Sequence, residues 1–167
     1  AGRAVAIKVL RSEGRISEVQ ARRFQREAEA LAKLNHPNVV RVHTVGTHDG
    51  KPYIVMDLVE GESLQERLER AGPLGAREAA GIVRTLAEAL EHAHGKGVLH
   101  RDVKPDNVLL DKGEPRLTDF GLARDLESAS RLTQTGAFMG TPGFCSIEQA
   151  LGQVDAVGPA SDVFGLG

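Results

Sequence analysis

Tryptophan is absent from these 167 residues, and a single tyrosine stands beside five phenylalanines, so any core must be built from aliphatic side chains. One cysteine, Cys145, excludes an intrachain disulfide and a multi-cysteine zinc site, and it fits a reducing compartment. No apolar run approaches the roughly 18 residues that a membrane-spanning helix needs. Charge of either sign is barely in excess: 21 Lys plus Arg against 23 Asp plus Glu give −2. Such a chain has no overall basic field to condense on nucleic acid or on an anionic membrane. The opening Ala-Gly-Arg-Ala-Val-Ala-Ile-Lys has neither an initiator Met nor a secretory pattern. Internal repeats and low-complexity tracts are missing as well. What remains is the composition of an ordinary globular domain, 41% hydrophobic and 26% charged, too apolar for a disordered tail.

Local patterns order the chain. Residues 4–10 are β-branched and apolar around one Lys, and predict a strand. Ser17 and Gln20 have capping-box spacing, and Val19, Phe24, Ala28, Leu31 and Leu34 recur at mostly helical steps, which predicts an amphipathic helix over 18–34. Pro37 forbids its continuation. Residues 39–45 and 51–56 predict two strands, with 46–50 as the hairpin loop between them. Ser63 with Glu66 opens a short helix that Gly72-Pro73 stops, and a longer helix covers 76–94, with Gly95 as a left-handed terminator. Short strands and polar loops follow to Phe120; residues 122–144 have little periodicity, as functional loops often do.

The densest polar cluster is His100-Arg101-Asp102-Val103-Lys104-Pro105-Asp106-Asn107, set between two short apolar runs. Asp119-Phe120-Gly121 lies twelve residues beyond it, and Ala4-Val5-Ala6-Ile7-Lys8 lies upstream. Singly, each residue has a plainer reading: Lys8 as a snorkelling strand-end lysine, Glu27 as a solvated helix charge, Asp119 as a turn residue. Five fixed residues at about one in twenty each would arise by chance in roughly 5 of 100,000 chains this long, so the joint pattern is not a coincidence.

In these motifs the sequence resembles the eukaryotic-like (Hanks-type) bacterial serine/threonine protein kinases, over nearly the whole chain. The resemblance implies an α+β, two-lobed protein-kinase-like fold. Residues 1–56 would form part of a small β-rich N-lobe without its first two strands, and 57–61 the hinge. Residues 62–167 would form part of a helical C-lobe, with catalytic loop 100–107 and activation segment 119–148. That lobe would end early in the helix carrying Asp162. On this expectation the chain is truncated at both ends and has little activity alone.

The family's roles carry over residue by residue. Asp102 would be the catalytic base, which orients the substrate hydroxyl and accepts its proton late, since a free Asp is a weak base at pH 7. Lys104 would neutralise the γ-phosphate and goes with Ser/Thr acceptors. Asn107 and Asp119 would hold Mg²⁺, a hard cation that takes oxygen ligands, with Mn²⁺ as a substitute. Lys8 would grip the α- and β-phosphates of ATP and pair with Glu27. Ala6 and Leu109 would sandwich the adenine, whose edge the main chains of Asp57 and Val59 would bond, with Met56 behind. Leu31, Val42, His100 and Phe120 would stack between the lobes. Thr133 and Thr135 resemble phosphoacceptors, with Arg101 as the receiving cation, and the Thr141 hydroxyl would meet Asp102 and Lys104. Asp162 would hold the catalytic-loop backbone.

Two departures stand out: the glycine-rich phosphate loop is absent, and Ile147 replaces a Pro before Glu148, whose expected Arg partner is missing. The implied partners are proteins bearing Ser or Thr and a second copy for autophosphorylation, with no nucleic acid and no membrane segment in the chain. The implied place is the cytoplasm, whether or not a parent protein is anchored. The competing expectations are a non-catalytic kinase-like scaffold or nucleotide-binding pseudokinase, and a small-molecule phosphotransferase. His92 and His94 are two apart on a helix and share no face, which argues against a metal pair.

Overall fold

The structure is a computed structural model that describes residues 2–9, 18–121 and 143–167. The expected cap at Ser17 and the expectations for Thr133, Thr135 and Thr141 fall outside the described residues.

The first strand, β1 (Val5–Val9), alternates as its sequence does, with Val5, Ile7 and Val9 exposed and Ala6 and Lys8 on the more covered face. It pairs antiparallel with β3 (Lys51–Asp57), which also pairs with β2 (Val42–His48), in the order β1-β3-β2. The turn between β2 and β3 is tighter than the expected loop 46–50. Asp49 (φ 50°) and Gly50 (φ 76°) turn the chain alone, in the left-handed geometry that matches strand twist. Gly46 therefore lies inside β2, where the Tyr53 ring covers it: a Cβ there would come within 2.6 Å of the phenol oxygen.

Helix α1 (Glu18–Ala32) crosses this sheet. Phe24, Ala28, Leu31 and, just past its end, Leu34 are buried, spaced four, three and three apart. Val19, expected in the same stripe, is exposed, so the apolar face begins a turn later.

The second sheet is antiparallel, β4 (Gly61–Ser63), β5 (Val108–Asp111) and β6 (Glu114–Leu117) in that order. Helix α2 (Leu64–Ala71) opens on the expected capping box: the Glu66 N–H donates to Ser63 Oγ at 3.1 Å, and the Ser63 N–H to the Glu66 carboxylate at 2.7 Å. Helix α3 (Ala76–His94) buries Leu86, Ala89, Leu90 and Ala93. It ends where expected but by another device: Gly95 stays right-handed at φ −63°, and Gly97 takes the left-handed turn at φ 73°.

Val39 and Val40 were expected in the strand that became β2. They dock on the second sheet instead. The Val40 N–H donates to the Leu117 carbonyl and the Leu117 N–H to the Asn38 carbonyl, both at 2.8 Å, so the segment after α1 is bonded to β6. One continuous apolar core follows, from Phe24 and Leu31 through Val39, Ile54 and Met56 to Leu90, Val108, Leu117 and Phe120. Beyond β6 lie α4 (Ile147–Ala150) and α5 (Pro159–Leu166), the latter packed on α3.

Gly61 lies close against the neighbouring strand. A Cβ there would lie 2.1 Å from the main-chain oxygen of Leu110, which cannot move without breaking the β4–β5 ladder. Gly61→Ala is expected to cost about 1–3 kcal/mol, the usual range for overpacking, read as a lowered midpoint of thermal unfolding.

Candidate active site

Hairpin geometry assembles the centre of the site. Asn107 immediately precedes β5 and Asp119 follows β6 by two residues, so pairing of Val108 with Leu117 returns the chain to its start. The Thr118 N–H then donates to the Asn107 carbonyl at 3.0 Å, which holds the two positions side by side. Asn107 lies in a 3-10 turn, Pro105–Asn107, where the proline suits the first position because no N–H is needed there.

The buried amide nitrogen of Asn107 donates twice to Asp102, to its main-chain oxygen at 2.8 Å and to Oδ2 at 3.0 Å. Lys104 Nζ stands 3.3 Å from the same Oδ2. Two of the expected site residues, Asn107 and Lys104, thus converge on the carboxylate of a third, Asp102. The ion pair of Lys8 joins it to Asp119, Nζ to Oδ1 at 2.7 Å. Glu27, its expected partner, lines a cavity with Leu31, Arg101, Phe120 and Gly121. Lys8 and Asp119 keep 39% and 29% of their side-chain surface, so solvent screening holds their pair to about 1 kcal/mol or less.

The backbone of the loop is fixed from below. Asp162, on α5, is 1% exposed and accepts three hydrogen bonds. These come from the His100 N–H at 2.8 Å, the Arg101 N–H at 2.6 Å and His94 Nε2 at 2.7 Å. His100 is fully buried; its Nε2–H donates to the Thr118 carbonyl at 2.9 Å, and its Nδ1 accepts the Asp102 N–H at 3.3 Å. Phe120 rests against its ring, centroids 4.5 Å apart. Of the expected interlobe column, Leu31, Val42 and Phe120 line one cavity. Burial outweighs the nearby Asp162 charge and holds the His100 imidazole below its ordinary 6.5.

Around the expected adenine site, Ala6 faces Met56 in the register of β1 with β3. Ala6, Val59 and Leu109 are partly buried against the core. The Asp57 N–H donates to the Arg41 carbonyl at 3.0 Å.

Four contacts escaped the sequence reading. His94 grips Asp162 rather than merely ending a helix, while His92 stacks on His36 at 5.3 Å. Ser161 Oγ donates to the carboxylate of Glu148. Gln149, 6% exposed, donates from Nε2 to the Arg101 carbonyl at 2.7 Å. Its three-residue spacing from Ser146 was a legible capping signal; the second bond had none.

The donor set suits a hard cation. With the Asn107 nitrogen engaged by Asp102, its amide oxygen is the atom left for a metal, and the adjacent Asp119 supplies carboxylate oxygens. Among the described residues, no cluster of three or more His, Cys, Asp and Glu competes as a metal site, and no helix is long and apolar enough to cross a membrane.

A two-lobed α+β domain with this arrangement of loop, hairpin and strand lysine has the architecture of a protein kinase. The family model described as "Protein kinase domain" matches residues 1–167, and the chain belongs to that family. It is similar to the serine/threonine-protein kinase PknA of Mycobacterium tuberculosis, 45% identical over 99% of this chain and 39% of that protein. PrkC of Bacillus subtilis is 40% identical over 99% of this chain and 25% of its own length. The chain thus spans well under half the length of these relatives. Among solved structures, the M. tuberculosis PknI kinase domain aligns with TM-score 0.77 at 34% identity, covering 97% of this chain and 58% of that one. A structure of Rad53 in complex with AMP-PNP aligns with TM-score 0.73 at 28% identity, covering 97% and 38%.

Two outcomes follow for the buried part of the site. Asp162→Ala leaves two loop N–H groups without their acceptor and is expected to cost about 3–5 kcal/mol in equilibrium urea unfolding. Acidification acts through His100: the unfolded chain takes up a proton near 6.5, whereas the folded imidazole resists because burial disfavours its charged form, and its Nδ1 already accepts the Asp102 N–H. The unfolded state then binds more protons, so stability is full above pH 6.5 and falls as pH drops below it, toward the depressed folded value. Urea midpoints across pH 7.5 to about 5 should decline, by at most ~1.4 kcal/mol per pH unit from this one group, and a flat profile would contradict the assignment.

Proposed function

We propose that this chain carries the catalytic machinery of an ATP- and Mg²⁺-dependent serine/threonine protein kinase, which transfers the γ-phosphate of ATP to protein Ser and Thr hydroxyls. The observation that carries the reading is the convergence of Asn107 and Lys104 on the Asp102 carboxylate, at 3.0 and 3.3 Å. Asp102 would orient the acceptor hydroxyl and take its proton late. Lys104, already against that carboxylate, would neutralise charge on the transferred group. Lys8 would hold the α- and β-phosphates with Glu27 as its support, and the Asn107 oxygen and Asp119 would hold the metal. Mg²⁺, when bound, supplies charge neutralisation across the phosphate oxygens. Such a transfer requires positioning and electrostatics more than covalent chemistry, which is what this set of residues offers.

Ala6, Leu109, the Asp57 carbonyl and Val59 would form the adenine site, in a hinge at 57–61 between lobes at 1–56 and 62–167. The names of the relatives support a Ser/Thr acceptor, and the AMP-PNP complex of a structural neighbour supports a nucleotide. Proteins bearing Ser or Thr are the proposed substrates. Thr133 and Thr135 are the proposed autophosphorylation sites, in a homodimer, with Arg101 receiving the phosphate and Thr141 on the substrate side. Dependence on ATP would put the domain on the cytoplasmic side.

The test is phosphate transfer from ATP to a generic protein substrate by the native gene product. Asp102→Ala and Asp119→Asn should each lower kcat by about 10²–10³, the usual consequence of removing a key electrostatic group. Transfer that survives either change undiminished sinks the proposal. A wild-type protein that binds Mg²⁺-nucleotide but transfers nothing returns the non-catalytic reading.

A further inference from the structure

Arg101 has φ 64°, a left-handed backbone that a bulky L-residue adopts only when its surroundings over-determine it. The four polar groups of the two peptides flanking it show how this is done. The His100 carbonyl accepts from the Gly121 N–H at 3.0 Å, and the Arg101 N–H donates to Asp162 Oδ1 at 2.6 Å. The Asp102 N–H donates to His100 Nδ1 at 3.3 Å, the longest of the set. The remaining group, the Arg101 carbonyl, accepts from Gln149 Nε2 at 2.7 Å. Among the described residues, the amide groups of the peptide that leads directly into Asp102 thus meet His100 through one long bond and Gln149 through a short one.

Gln149 is itself fixed. It is 6% exposed, and its Oε1 accepts from both the N–H and the Oγ of Ser146, at 3.1 and 3.2 Å, closing the cap of α4. With its oxygen locked in that cap, the amide has one orientation and its nitrogen can only face Arg101. We infer that Gln149 is a positioning residue for the reaction. By clamping the Arg101 carbonyl it sets the plane of the Arg101–Asp102 peptide, and so the direction in which the Asp102 carboxylate points. This rests on the reading of Asp102 as the group that meets the acceptor hydroxyl.

Gln149→Glu separates the clamp from the cap. A carboxylate can still accept from Ser146 but cannot donate to the Arg101 carbonyl, which it repels. In the native gene product, kcat should fall about 10- to 100-fold, with the KM for ATP and the Kd for Mg²⁺-nucleotide within about twofold of wild type. The deficit relative to wild type should shrink as pH is lowered from 8 to 6, because protonation of the introduced carboxylate restores a donor. If Gln149→Glu does not fold, Gln149→Met, which lacks both donor and charge, is read by the same kcat and Kd criteria. A kcat within twofold of wild type, or an equal rise in nucleotide Kd, overturns the inference while leaving the proposed function standing, provided Asp102→Asn abolishes transfer. Transfer undiminished in Asp102→Asn marks instead the failure of the functional reading itself.

Discussion

The site depends on one buried anion. Asp162 is almost completely removed from water, a position that a carboxylate tolerates only when its lone pairs are met. Two of its three donors are main-chain N–H groups of successive loop residues, His100 and Arg101. Consecutive N–H groups can converge on one carboxylate only where the backbone bends out of extended geometry at the first of the two residues, here His100. Asp162 thereby fixes the peptide that enters Arg101, whose own left-handed φ then turns the chain into Asp102. Packing reinforces it: a Cβ at Gly165, one turn along α5, would lie 2.9 Å from the Val103 carbonyl, so the helix approaches the loop as closely as glycine permits.

From that bend the remaining geometry follows with little freedom. His100 is driven into the core, where its two ring nitrogens have opposite duties, donation to Thr118 and acceptance from Asp102. Only the neutral imidazole can perform both, which ties the protonation state of a core residue to the backbone of the polar loop. The hairpin β5–β6 then brings Asn107 and Asp119 together without a side-chain contact between them being needed, because the ladder and the Thr118–Asn107 bond already fix their separation.

What could be read in advance was whatever local sequence encodes. The Ser63–Glu66 box and the 76–94 helix depend on spacing over a few residues, and they stand as expected; the polar loop with its Asp102, Lys104 and Asn107 was visible in the same way, as a dense local cluster. The errors arose where tertiary contacts overrode local pattern. Val39 and Val40 have strand composition, but Leu117, far along the chain, offered their backbone a better partner than the neighbouring strand did. Val19 fits a helical period yet has nothing to pack against. The roles of His94 and Gln149 were illegible for the same reason: each acts across about fifty or more residues, and no window of sequence reports that distance.

Rigidity and exchange are divided between the two halves of the site. The loop is held by buried bonds to Asp162, His100 and Gln149, in surroundings where each unmade bond is costly. Lys8 and Asp119, by contrast, meet in partial contact with solvent, where opposite charges gain little from each other. That asymmetry suits the proposed chemistry. A cation and a carboxylate that neutralise one another leave neither charge unmet. Because their bond is weak, a phosphate for the lysine and a metal for the carboxylate can displace it at small cost. Were this pair as buried as Asp162, the same contact would compete with the nucleotide rather than keep its place.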